Sequence, residues 1–322
     1  MDLLFLGTSS GVPTLQRNVS ALALIHEQGR EWYLLDCGEA TQHQLLRCPL
    51  SVIDLRAIFI THVHGDHCYG LPGLLASAAM NGRKTPLTLL APRKVLEWVS
   101  ATRELTQLWL PYELIEIAID EQPQDRLWQD RGWNLSCVPL SHRVPSWAYV
   151  LQEDAPPQQL DSALLERLGL PRGPMWGQLQ RGQSVQWQGQ TIAAEQVLRA
   201  SGPALKLVLG GDNDQPDLLA HACQGAQVLV HEATYTESIA QKVGPQVQHS
   251  SAARVGAFAA SVNLPHLILT HFSPRYRPDG GDDSNSLPLL QAEAAQIYRG
   301  RLWLAQDFAR FRLQRDGVLH AL

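Results

Sequence analysis

Residues 57–67 read Ala-Ile-Phe-Ile-Thr-His-Val-His-Gly-Asp-His. An apolar run of strand length runs straight into His62, His64, Asp66 and His67. Crowding three imidazoles and a carboxylate at the end of a buried strand costs solvation free energy unless a cation holds them. The stretch therefore calls for a fold in which a strand end opens onto a metal site. His62 and His64 are two apart, so in an extended segment they face the same side. Asp66 and His67 follow the turn at Gly65 and can point to a second centre.

The arrangement recurs along the chain. His142 follows the run 137–140, Asp212 follows 207–209, His231 follows 228–230 and His271 follows 267–269. Strand carboxyl ends in α/β folds converge on one rim, so groups far apart in sequence can share a site. Imidazoles with a few carboxylates and no thiolate suit Zn²⁺, with Mn²⁺ or Fe as substitutes. Six or seven donors exceed one tetrahedral ion, whereas two ions sharing a carboxylate would use them. A lone histidine after a strand is more often a satisfied structural residue, so His231 is expected to support the site rather than ligate. His26, His43, His221, His266 and His320 have no such context and read as surface or core residues.

Further β-type runs lie at 3–6, 21–25, 32–35, 87–90 and 135–140, with helix-like stretches at 92–103, 250–260 and 286–298. Early hairpins followed by alternating strands and helices predict an α/β layered fold rather than one parallel sheet. The chain has 322 residues, 45% of them hydrophobic, which is enough for one large domain with a sizeable core. Residues 152–185 differ, being rich in Pro and Gly with weak periodicity; such a segment is either a solvated linker or functional. The net charge of −5 argues against coating nucleic acid by bulk charge, though not against a local basic groove. Five cysteines without a CxxC pair, a start without a basic leader and no apolar run near membrane length predict a cytoplasmic protein with no membrane segment.

The HxHxDH cluster is that of the metallo-β-lactamase superfamily, and the chain resembles one branch of it, the ribonuclease Z family, along nearly its whole length. The stretches that carry the resemblance are "FLGTSSGVPTLQRN" at 5–18, "DCGEATQ" at 36–42, "THVHGDH" at 61–67, "GLPGLL" at 70–75 and "SHRVPSWAYVL" at 141–151. They continue with "LGLPRGPMWGQLQRGQSV" at 168–185, "GGDN" at 210–213, "HEATY" at 231–235, "HSSA" at 249–252 and "THFSPRY" at 270–276. The resemblance implies an αββα sandwich forming a single domain over 1–322, with 152–185 as an inserted arm that contacts tRNA, and a homodimer. It implies two Zn²⁺ per subunit: His62, His64 and His142 on one, Asp66, His67 and His271 on the other, and Asp212 between them. The implied activity is a metal-dependent endoribonuclease that removes the 3′ trailer from precursor tRNA, leaving a tRNA 3′-hydroxyl and a trailer 5′-phosphate.

In that chemistry Asp66 would hold or deprotonate the attacking water, and His249 would protonate the leaving 3′-oxygen. Without the resemblance, His249 reads as a solvated residue beside Ser250 and Ser251, which can cap the helix that follows. Ser273 and Arg275 are candidates for binding substrate phosphate. The competing expectations are a small-substrate metallo-phosphodiesterase on the same scaffold and a catalytically silent tRNA-binding protein. Every ligand position is filled, which argues against the second.

Overall fold

The computed structural model describes residues 1–27, 29–156, 158–277 and 285–322. The chain first lays down β1 (Asp2–Gly7), β2 (Ala21–Ile25), β3 (Trp32–Leu35), β4 (Leu55–Phe59), β5 (Leu87–Ala91) and β6 (Leu114–Ala118). A second series follows: β7 (Trp128–Asp130), β8 (Trp133–Leu140) and β9 (Ser146–Glu153). The next four strands are short: β10 (Gln158–Leu160), β11 (Val185–Trp187), β12 (Gln190–Ile192) and β13 (Leu198–Ala200). Then come β14 (Lys206–Leu209), β15 (Val228–Glu232), β16 (His266–Thr270), β17 (Arg301–Leu304), β18 (Arg310–Leu313) and β19 (Leu319–Ala321).

These strands make two large sheets, in the orders β19-β18-β1-β2-β3-β4-β5-β6 and β17-β16-β15-β14-β9-β8-β7. Strands β3 to β6 run parallel in the first sheet, and β14 to β17 run parallel in the second. Period-two alternation explains why both sheets are covered on both faces. In β1, Leu3 and Phe5 enter the core between the sheets, while Leu4 and Leu6 pack under the helices Leu71–Met80 and Arg93–Leu105. In β16, Ile268 faces the other sheet while Leu267 and Leu269 meet the helices Ala252–Ser261 and Leu287–Ala295. The layers are thus helix, sheet, sheet, helix, the expected αββα sandwich.

The expected helices form with shifted ends, and in the two large sheets β6, β7, β9, β17, β18 and β19 are strands that the runs of apolar residues did not reveal. Between β9 and β14 the chain leaves the sandwich. Gln152 and Glu153 still belong to β9, and the excursion continues beyond residue 185 to β13. It holds two short ladders, β10 with β13 and β11 with β12, and the helices Ser162–Arg167, Pro174–Gln180 and Ala194–Val197. Its own small core comprises Leu165, Leu170, Leu179, Val185, Ile192, Ala194 and Val197.

Candidate metal centre

Parallel strands of both sheets end at one rim, and the polar residues follow those ends. Asp36 comes after β3, His62 to His67 after β4, Asp212 after β14, Glu232 at the end of β15 and His271 after β16. His142 sits in the turn between β8 and β9. Gly211 lets Asp212 come close: a Cβ there would press on Thr61, the Trp147 carbonyl and the Ser146 hydroxyl.

The rim gathers two donor sets. In one, His64 Nδ1 lies 3.0 Å from His62 Nε2 and 3.2 Å from His142 Nε2. Asp212 Oδ2 is 3.6 Å from His62 Nε2 and 3.7 Å from His142 Nε2. In the other, His67 Nε2 and His271 Nε2 are 3.2 Å apart, and Asp66 Oδ2 lies 3.5 Å from the first and 3.3 Å from the second. Asp212 Oδ1 is 3.4 Å from each of these two nitrogens. The two oxygens of one carboxylate therefore face different sets.

The imidazoles are held in a fixed tautomer from behind. His67 Nδ1 is 2.7 Å from Asp36 Oδ2. The Thr61 hydroxyl donates to Asp36 Oδ2 at 3.0 Å and so accepts from His62 Nδ1, also at 3.0 Å. His142 Nδ1 donates to the Gln248 carbonyl at 2.9 Å. The Thr234 hydroxyl donates to Glu232 Oε2 at 2.5 Å and accepts from His271 Nδ1 at 3.0 Å. With the Nδ1 atoms of His62, His67, His142 and His271 giving their protons away from the centre, four Nε2 lone pairs converge on it, while His64 faces it through Nδ1. Convergent lone pairs and carboxylates repel unless a cation lies among them, so the donor set fits divalent metal ions.

The electrostatics separate the two sets. Burial and the neighbouring histidines His67, His142 and His64 hold His62 well below its ordinary range, in the neutral form that ligates. Burial alone would lower His67 too, but Asp212, Asp66 and Asp36 outweigh it and push its pKa well above the usual value. Burial would raise Asp66, yet His67 and His271 hold its carboxyl far below the normal range. The Gly11 N–H also donates to Asp66 Oδ2, at 2.7 Å.

His249 lies beside the two sets. Its Nδ1 is 3.0 Å from Glu232 Oε1 and 3.8 Å from Asp212 Oδ2. Burial opposes its protonation, but the Glu232 carboxylate, through charge and hydrogen bond, raises its pKa to about 9. Glu232 is itself fixed by the N–H groups of Asn213, Ser250 and Thr234. Ser251 caps the helix Ala252–Ser261, whereas Ser250 donates to the Asn213 carbonyl. His231 is not among the donors: its Nδ1 donates to the Glu232 carbonyl at 2.7 Å, and its Nε2 accepts from Asn213 Nδ2 at 3.1 Å.

Ser273 and Arg275 stand at the edge. Ser273 is buried, and its hydroxyl accepts from Arg275 Nε at 3.1 Å. The Arg275 guanidinium lies 5.3 Å from the Tyr235 ring centre, and that ring in turn borders His249. Neither lines the cleft of about 350 Å³ that opens over the donors between Ser10–Pro13, Gly65, Tyr69 and Arg143.

Asp36, Thr61, Thr234, Glu232 and Gln248 received no role from sequence reasoning. Asp36 and Glu232 were findable, since each is an acidic residue at the end of an apolar strand, as Asp212 is. Gln248 was not, because its backbone carbonyl makes the contact. Asp36, Gln248 and His271 all have left-handed backbones, with φ of 56°, 50° and 58°. Such conformations in non-glycine residues cost on the order of 1–3 kcal/mol each and collect at functional sites.

Comparison with known proteins matches this geometry to a family. A family profile described as "Anti-Pycsar protein Apyc1" matches residues 1–103. Human tRNase Z, short form, superposes with a TM-score of 0.68 at 25% identity, covering 98% of this chain and 100% of that one. The ribonuclease Z of Marinobacter nauticus is 48% identical over 323 aligned positions, 99% of this chain and 98% of that protein. That of Pseudomonas putida (strain GB-1) is 50% identical over 319 residues, 99% of both proteins. Half-identity across the whole length, on a fold with this rim of donors, makes the chain a member of the ribonuclease Z family.

Proposed function

We propose that this protein is a metal-dependent endoribonuclease that removes the 3′ trailer from precursor tRNA, leaving a 3′-hydroxyl on the tRNA and a 5′-phosphate on the trailer. The observation that carries the reading is Asp212, whose two oxygens face separate donor sets in a chain of this family. His62, His64 and His142 would hold one ion, Asp66, His67 and His271 the other, and Asp212 both. Two Zn²⁺ per subunit suit nitrogen and carboxylate donors without thiolate, with Mn²⁺ or Fe as substitutes. Such a pair, when bound, supplies a nucleophile at neutral pH and stabilises charge on the phosphoryl oxygens.

The chain's own residues supply the rest. Asp66 would hold or deprotonate the attacking water, with its Oδ2 steadied by the Gly11 N–H. Glu232 keeps the His249 ring protonated through Nδ1, so that Nε2 can give its proton to the leaving 3′-oxygen. Arg275, with Ser273 beside it, meets a substrate phosphate flanking the cut. The arm, expected at 152–185, extends the RNA contact within a single domain over 1–322; residue 157 of that span lies outside the described residues. The working unit is a cytoplasmic homodimer. Among the described residues no helix is long and apolar enough to cross a membrane.

The test is cleavage of an end-labelled precursor tRNA by zinc-loaded protein beside the Asp66→Ala variant. One cut on the 3′ side of the acceptor stem, lost in the variant, is expected. In His249→Ala, turnover falls while metal content holds. Hydrolysis of a small phosphodiester without any cut in precursor tRNA would overturn the substrate and leave a small-substrate phosphodiesterase.

A further inference from the structure

Tyr69 stands apart from the other tyrosines. Tyr33, Tyr112, Tyr149, Tyr276 and Tyr298 are buried, and the hydroxyl of each has a hydrogen-bond partner, while Tyr235 is half-buried with the Arg275 guanidinium over its ring. Tyr69 is 62% exposed, and among the described residues its hydroxyl has no partner. Neither a core nor a hydrogen bond explains it.

Its place is specific. Among the described residues it is the one Phe, Tyr or Trp lining the metal cleft, where His64, Asp66 and Arg143 are also found. A Cβ on Gly65 would fall on three atoms of the Tyr69 ring, so the ring lies over the backbone between His64 and Asp66. On another side it meets Trp98, with ring centres 5.8 Å apart and planes at 42°. The ring is thus braced against two neighbours and still mostly open to the cleft. A single exposed aromatic needs no explanation on an open surface, but here the ring is braced inside a cleft beside the metal donors, where aromatic walls contact ligands. Unpaired RNA bases splay out and stack on such rings, whichever base they are.

We propose that Tyr69 is a stacking platform for the nucleobase adjacent to the scissile phosphate, part of a base subsite on the wall of the cleft. The proposal rests on the function proposed above. It assigns the subsite to unpaired RNA next to the cut, because the ring lies directly over the segment joining donors of the two sets.

The experiment uses precursor tRNAs carrying 2-aminopurine at the first nucleotide on either the 5′ or the 3′ side of the cut. Binding to metal-free protein is followed by fluorescence, so the readout does not depend on turnover. One of the two labels is expected to be quenched by the wild type and by Tyr69→Phe, and not by Tyr69→Ala or Tyr69→Leu. In zinc-loaded protein, Tyr69→Ala and Tyr69→Leu are expected to raise KM for precursor tRNA by roughly five- to a hundredfold, with Tyr69→Phe near wild type. Tyr69→Leu keeps the bulk over Gly65, and metal content with the melting temperature checks that each variant is folded. Quenching by Tyr69→Leu equal to wild type, or no quenching of either label, overturns the stacking. Failure of the wild type to cut precursor tRNA instead overturns the reading on which it rests.

Discussion

The metal cleft and the arm between β9 and β14 are both excursions from the sandwich, built in opposite ways. In the cleft, ionisable groups are buried or half-buried, and the Nδ1 atoms of His62, His67, His142 and His271 each have an acceptor behind them. Three residues there hold left-handed backbones, which only a rigid surround can enforce. The arm has short ladders, short helices and seven buried apolar side chains. Its ion pairs lie at the surface, Arg172 with Glu166 at 3.2 Å and Arg199 with Asp161 at 3.8 Å. Exposed pairs of this kind contribute little. Lone pairs must be aimed to fractions of an ångström, and the ends of doubly buried strands can do that. The RNA contact proposed for the arm asks for less exact support.

Asp212→Ala should break the contrast most severely. Both donor sets lose their common oxygens, so metal content should fall below that of the wild type, with activity down by more than about a thousandfold. Metal analysis beside a cleavage assay measures both. Replacing 158–200 by a short Gly-Ser linker should do the reverse: metal content unchanged, precursor tRNA cleavage down by about a hundredfold or more, mostly in KM. Loss of metal in that deletion would show that the arm supports the cleft. Asp36→Asn should be milder. It weakens the acceptor behind His67 and, through Thr61, behind His62, and metal affinity should fall about 10–100-fold in a chelator competition. Leu179→Ala should be the smallest, costing about 2–4 kcal/mol of local stability. Hydrogen exchange should quicken in the arm alone; an equal change in the sandwich strands would mean that the two regions unfold as one.

The same contrast governs what could be read from residues alone. Buried strands announce themselves as apolar runs, and a histidine or aspartate after such a run is conspicuous, so the seven expected donors could be named. Strand β18 hid because Arg310 and Arg312 alternate with apolar residues and pair with Asp2, and β7 and β19 hid because each is only three residues long. The acceptors behind the imidazoles hid for another reason. Thr61, Thr234 and the Gln248 carbonyl are ordinary groups that acquire their role by distance in space. The arm showed its presence by Pro and Gly but not its limits, because the residues from 185 to 200 have normal composition and join it through pairing of β10 with β13.

The donors come from residue 62 to residue 271 and from the ends of strands in both sheets. During synthesis, a chain that has emerged only as far as β14 presents His62, His64, Asp66, His67 and His142 without Asp212 or His271. The rim closes only when the second sheet has stacked on the first. Stably held metal therefore counts molecules that have finished folding, and a truncated or stalled chain carries the same sequence motif without the capacity to keep an ion.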